Sequence, residues 1–323
     1  MMKLARLPRP TTIEINPVLL KEIRGRMRGV RAFILLTANL ALLAFFTGLF
    51  YLAQRSSMGT PFGPTPAEVG WNLFVAIAFM QFLIILFGVP SLAANTISSE
   101  YENQTYEMLL TTPLSARSIV LGKLFAMLAY VVITLLSALP LYSLVYVLGG
   151  FRWTDVFKAN VGMLFLATLF SIITMCNSAW LRRTVRASGL SYFLIGGWTA
   201  FPYVFAIFDG ILNEASPLRL WFLFSPLSFY ASLLAASENS ILHGSSGQTS
   251  TQTPTWQLSV FLFVAVVAVF FILTTRLVLP EARRAPRSRT FVMIALVVVA
   301  VTIAALLVHP PSVWKTIFER PAF

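Results

Sequence analysis

The chain has 323 residues, 57% of them hydrophobic and only 11% charged, with a formal net charge of +12. A soluble globular chain of this length covers its surface with far more charge, so that class is excluded and a polytopic membrane protein is expected. The basic excess, 24 Lys and Arg against 12 Asp and Glu, lies in short segments between apolar runs, the pattern of membrane topology rather than of nucleic-acid binding.

Residues 1–31 are polar and basic, and no small-residue cleavage site follows the first apolar run, so a retained first helix is expected. Within this segment Asn16-Pro17 is a good helix start, with Asn as cap and Pro at the first helical position. From there Leu19, Leu20, Ile23, Met27 and Val30 fall on one arc at helical spacing, while Lys21, Arg24, Arg28 and Arg31 take the other face. That division fits a helix lying among lipid headgroups with its basic side toward anionic lipid. A plain basic flank would explain the charge but not the apolar arc.

Seven runs reach the roughly 20 apolar residues that cross a bilayer core: Ala32–Ala53, Trp71–Ile97, Val120–Leu148, Val156–Leu181, Ser188–Ile211, Gln257–Leu279 and Thr290–His309. Each is expected to be helical, because lipid offers no partner to backbone polar groups. With the N-terminus cytoplasmic, only Arg55, Arg152, Lys158, Arg219, Lys315 and Arg320 of the 24 basic residues fall outside, which fixes the orientation by the positive-inside rule. An eighth span over Ser216–Ser237 would move the Arg276–Arg289 cluster outside. That segment, with Arg219, Pro217 and Pro226, reads better as a re-entrant or interfacial extracellular element, followed by a Ser/Thr/Gln tract at Gly244–Thr255.

The span interiors hold no ionisable residue. Lys123, Lys158, Asp209 and His309 lie near ends, where they are expected to reach water, and Asn39, Gln81 and Asn177 are expected to bond helix to helix. An ion-driven carrier is therefore disfavoured. Gly122-Lys123 lacks the remainder of a Walker A loop, so no ATP site is expected on this chain. His243 and His309, with Asp209 and Glu214, are scattered without metal-ligand or catalytic spacing, so no enzyme, cofactor or metal site is expected. Cys176 has no partner cysteine and sits inside a span.

The polar insert between the second and third spans is the most distinctive stretch. It carries Glu100, Glu102 and Glu107 on the side where basic residues normally dominate. Glu100–Leu110 is a candidate short helix with acids in its first turns and Tyr101, Thr105, Met108 and Leu109 on one face. Thr112-Pro113 breaks it, and Ser115 can cap the helix that follows. A helix, a sharp turn and a second helix would form a rigid elbow able to pass a partner's movement to the membrane spans.

The run Glu102-Asn-Gln-Thr-Tyr-Glu107-Met-Leu109-Leu110-Thr-Thr-Pro113-Leu114-Ser115-Ala-Arg117, continuing to Gly122-Lys123, resembles the signature of bacterial ABC transporter permeases of the exporter-like type-2 class. Asn16-Pro-Val-Leu-Leu-Lys21-Glu22-Ile-Arg24 is similar to that family's N-terminal interfacial helix, and Arg182-Arg183-Thr-Val-Arg186-Ala resembles its second cytoplasmic loop. Two departures are Gln104, where many members have Gly, and Thr290–His309, a seventh span beyond the family's six.

With the apolar runs, the resemblance implies an all-α polytopic membrane bundle: a six-helix ABC exporter permease core, to which the run Thr290–His309 adds a seventh C-terminal helix. It divides into a cytoplasmic N-terminus (1–31), a permease domain (32–279) with the coupling elbow at 98–119 and an extracellular loop at 213–256, a basic loop (280–289), the added helix (290–309) and an extracellular or periplasmic tail (310–323). It implies the permease subunit of an ATP-driven transporter, an exporter, in the bacterial inner membrane. Two such chains, identical or related, would form the pathway, in contact with lipid. The ATPase, with its ATP and Mg, would be a separate ABC ATP-binding subunit docked on Glu100, Tyr101, Glu102, Thr105, Glu107, Leu109, Leu110, Pro113, Leu114, Ser115 and Arg117. The interfacial helix would use Leu19, Leu20, Ile23, Arg24, Met27 and Arg28. From the residues alone, a non-transporting membrane anchor or assembly protein, or a passive channel, stays open.

Overall fold

The structure, a computed structural model, describes residues 22, 25, 30–55, 63–106, 115–213, 223–238, 255–279 and 287–308. Among these the protein is an all-α polytopic membrane bundle. Its helices are α1 (Val30–Arg55), α2 (Pro66–Glu102), α3 (Ala116–Leu136), α4 (Leu139–Tyr146), α5 (Trp153–Leu181), α6 (Thr184–Asn213), α7 (Pro226–Glu238), α8 (Thr255–Val278) and α9 (Arg287–Val308). Six stretches are long and apolar enough to cross a membrane: α1, α2, α3 with α4, α5, α6 and α8. The 22 residues of α9 rise about 33 Å at 1.5 Å each, also enough for the hydrocarbon core.

α5 is the axis of the bundle, packing against α2, α3, α6, α7 and α8. Every residue from Leu169 to Ala179 is buried, as expected of a helix apolar on all faces with neighbours all round. α1 and α9 lie at the periphery. Phe33, Phe45 and Leu52 on α1 and Leu296 on α9 are exposed, a surface suited to lipid.

Local chemistry sets the helix ends. Thr65 caps α2 with a capping box: its hydroxyl accepts from the Glu68 N–H at 3.3 Å while the Glu68 carboxylate accepts from the Thr65 N–H at 2.8 Å. Ser115 caps α3, accepting from the Ser118 N–H at 3.2 Å. The connection from α4 to α5 crosses the start of α2 at van der Waals limit. Gly150 holds φ +89°, and a Cβ there would stand 1.9 Å from the Ala67 carbonyl oxygen.

Three expectations are corrected. The run Val120–Leu148 is not one uninterrupted helix: it breaks at Ser137–Ala138, because Pro140 supplies no N–H to the ladder. The helix read over Glu100–Leu110 does not begin at Glu100. α2 carries on through Glu102, and the elbow turns at Asn103 and Gln104. Lys123 does not reach water; it is buried and paired. The segment Ser216–Ser237, in its described part, is α7, whose 13 residues are too short to span and which packs against α5, α6 and α8.

Candidate functional site

The elbow end of the bundle gathers the last turn of α2, the start of α3, the α5–α6 junction, the end of α8 and Glu22. The α2 terminus is a Schellman motif. The Gln104 N–H bonds the Tyr101 carbonyl at 3.2 Å and the Thr105 N–H bonds the Glu100 carbonyl at 2.9 Å. Closing it requires Gln104 in the left-handed region, at φ 59°.

Lys123, on the second turn of α3, is 2% exposed. Its three ammonium protons each have an acceptor: the Thr96 carbonyl at 2.6 Å, Glu100 Oε1 at 2.8 Å and Glu22 Oε1 at 3.2 Å. One side chain thereby ties α3 to α2 and to the segment before α1. The low local dielectric strengthens each of these contacts, and the full set of acceptors offsets the desolvation of the ammonium.

The α5–α6 junction is fastened to the same α2 terminus through Arg182 and Thr184. Arg182 closes α5 at φ 53° and lays its guanidinium 5.0 Å above the Tyr101 ring. The Glu102 carboxylate accepts from the Thr184 N–H at 2.8 Å and from the Thr184 hydroxyl at 3.0 Å, capping α6 at the positive end of its dipole. One turn deeper, the Ser178 hydroxyl of α5 accepts from the Ser98 N–H at 2.9 Å and donates to the Ala94 carbonyl at 2.6 Å. Tyr106, just past the turn, stacks on Tyr101 with ring centroids 3.9 Å apart and donates its hydroxyl to the Val278 carbonyl at the end of α8. Burial, with neighbouring Tyr101, raises the Tyr106 phenol above the ordinary tyrosine range, so this donor keeps its proton.

A family model described as ABC-2 family transporter protein matches residues 17–281, far more than half of the chain. The chain belongs to the ABC-2 transporter family. It is therefore a membrane permease of an ABC transporter, a transport component whose ATPase resides on an ABC ATP-binding partner. No curated protein gives a significant match.

The permease brings Glu100, Tyr101, Glu102 and Thr105 together at the elbow, with Ser115 and Arg117 at the start of α3. Glu102, Thr105, Ser115 and Arg117 are exposed. Glu100 is turned inward to Lys123. Glu107, Leu109, Leu110, Pro113 and Leu114, and the interfacial residues Leu19, Leu20, Ile23, Arg24, Met27 and Arg28, lie outside the described residues. Sequence reasoning missed Lys123, Glu22 and Tyr106 as structural partners. The Gly122-Lys123 pair opening an apolar helix was the available signal for the first, since a lysine there must either snorkel or pair.

Proposed function

We propose that this permease is the membrane subunit of an ATP-driven exporter of the bacterial inner membrane, with the N-terminus cytoplasmic and two permease chains, identical or related, forming the pathway. ATP and Mg are bound by the partner subunit, which docks at the elbow on the exposed Glu102, Thr105, Ser115 and Arg117, with Arg182, Arg183 and Arg186 beside them. Coupling is then mechanical. The α2 terminus is fixed to α3 through Lys123, to α6 through Glu102 and to α8 through Tyr106, so force applied at the turn reaches three spans together. That convergence is the observation that carries the proposal.

The test is affinity purification of the tagged full chain from its native membranes in mild detergent, with mass spectrometry of what accompanies it. A stoichiometric subunit bearing a Walker A motif is expected, and the number of permease chains per complex reports the dimer. Absence of any nucleotide-binding subunit, after cross-linking as well, would overturn the proposal.

A further inference from the structure

We propose that Arg186, with Arg183 beside it, binds the phosphodiester of an anionic phospholipid on the outer arc of α6, in the leaflet at the elbow end. Ala187, Ser191, Ile195 and Thr199 are buried at four-residue spacing and mark the stripe that α6 turns to the bundle. Each helical residue turns about 100°, so Val185, Arg186, Gly189 and Phe193 occupy the opposite side. Val185 and Phe193 are 82% and 77% exposed, and a Cβ at Gly189, between them, would meet nothing within 4 Å. This arc is uncovered. Arg183 and Arg186 are exposed as well. Arg182 lies on the Tyr101 ring, but neither of the other two arginines has an acidic partner among the described residues.

Direction and depth identify the partner. Thr184 marks the side of α6 that meets the elbow, since it holds Glu102. Arg186 is two residues on, about 160° around the helix, so it stands beside the docking surface and is turned away from it. The bond from Asn177 Nδ2 on α5 to Ser191 Oγ on α6, at 2.9 Å, sets the register of these antiparallel helices and puts Trp180 level with Ser188. Trp180 is 64% exposed, and a tryptophan so placed at the end of a span marks the headgroup layer. Arg186 lies two residues, about 3 Å, farther out, within a layer about 5–7 Å deep. A guanidinium at that depth meets lipid phosphate and grips it through paired N–H donors. Two cations without acids favour an anionic lipid over a zwitterionic one. Val185 and Phe193 suit its acyl chains, which a free anion lacks.

The experiment compares two photoreactive lipids, a diazirine-bearing phosphatidylglycerol and its phosphatidylcholine counterpart, in nanodiscs holding the purified full chain, with labelled peptides mapped by mass spectrometry. Phosphatidylglycerol is expected to label residues 185–193 roughly fivefold or more above phosphatidylcholine, and to be displaced by unlabelled phosphatidylglycerol but not by inorganic phosphate. Arg183→Gln with Arg186→Gln should bring its label down to the phosphatidylcholine level. Arg183→Lys with Arg186→Lys, which keeps the charge, should keep the preference. Neither side chain is paired within the bundle, so both variants are expected to unfold at the wild-type temperature in phosphatidylcholine nanodiscs. Equal labelling by the two lipids, or a preference undiminished in the glutamine pair or lost in both pairs, would overturn the site. So would displacement by inorganic phosphate, or a second permease chain cross-linked along this arc in place of lipid. The readout needs no ATP-binding subunit, so its failure is separable from that of docking at the elbow.

Discussion

Removing the ammonium of Lys123 takes from Glu100 and Glu22 the buried cation they share. Breaking a buried ion pair from one side typically costs about 3 kcal/mol or more, so Lys123→Met should sharply lower the unfolding temperature of the detergent-solubilised permease. Adding Glu100→Gln and Glu22→Gln should recover much of that loss, and equal stability of Lys123→Met and the wild type would show that the pairing carries no weight. Gln104 presents the opposite case. A non-glycine residue in the left-handed region pays about 1 kcal/mol in steric strain, so Gln104→Gly is expected to stabilise the Schellman turn by that order in the same unfolding assay. Tyr106→Phe keeps the stacking on Tyr101 and deletes the hydroxyl that bonds α8, a loss of about 1 kcal/mol. Because the Tyr106 phenol is raised above its ordinary value, its contribution is fully present below the usual tyrosine pKa near 10. It is lost only as pH rises through the higher folded value. The stability gap between wild type and Tyr106→Phe should therefore stay constant from neutral to mildly alkaline pH.

At the scale of elements, the α2 terminus is held more firmly than the end of a membrane helix needs to be. Glu102 serves as the external cap of α6, with two bonds to Thr184, so a charge reversal there acts on α6 as well as on any docked partner. The contact of the α4–α5 connection with α2 depends on having no side chain at Gly150. Gly150→Ala would place a Cβ 1.9 Å from a backbone oxygen at a φ of +89°, and backbone on both sides leaves no cheap way to relax. A cost of about 2 kcal/mol or more is expected, measured as reduced unfolding temperature and yield, while a substitution at the uncrowded Gly189 should be well tolerated. The interruption of α3 places polar backbone deep in the bundle, and Asn39 from a neighbouring helix is its remedy.

For the whole molecule, what was legible in the sequence followed from length and hydrophobicity. Runs near 20 apolar residues have no option in lipid but helix, so the spans were readable to within a few residues, and α7 was separable from them by its prolines and the basic cluster beyond. The family was readable from the run around Pro113-Leu114-Ser115 and Gly122-Lys123, and the match over residues 17–281 bears it out. The internal fastenings of the elbow were not legible, because they join residues far apart. Glu22 and Lys123 are 101 positions apart, Tyr106 and Val278 172. The end of α2 was misjudged because the acids from Glu100 onward read as the first turns of a new helix, although a helix already running continues readily beyond the bilayer. The α3 break had a visible signal in Pro140, overridden by the evenly apolar run around it.

The elbow as docking surface is the claim on which the coupling account depends. Its most direct test places a photoreactive amino acid at Thr105, on the exposed turn, and separately at Trp153, exposed at the opposite end of α5, in the full chain within its native membrane. Illumination should join the ATP-binding subunit to position 105 and leave position 153 without it. Capture of that subunit from position 153, or from neither position while it still co-purifies with the permease, would contradict the account.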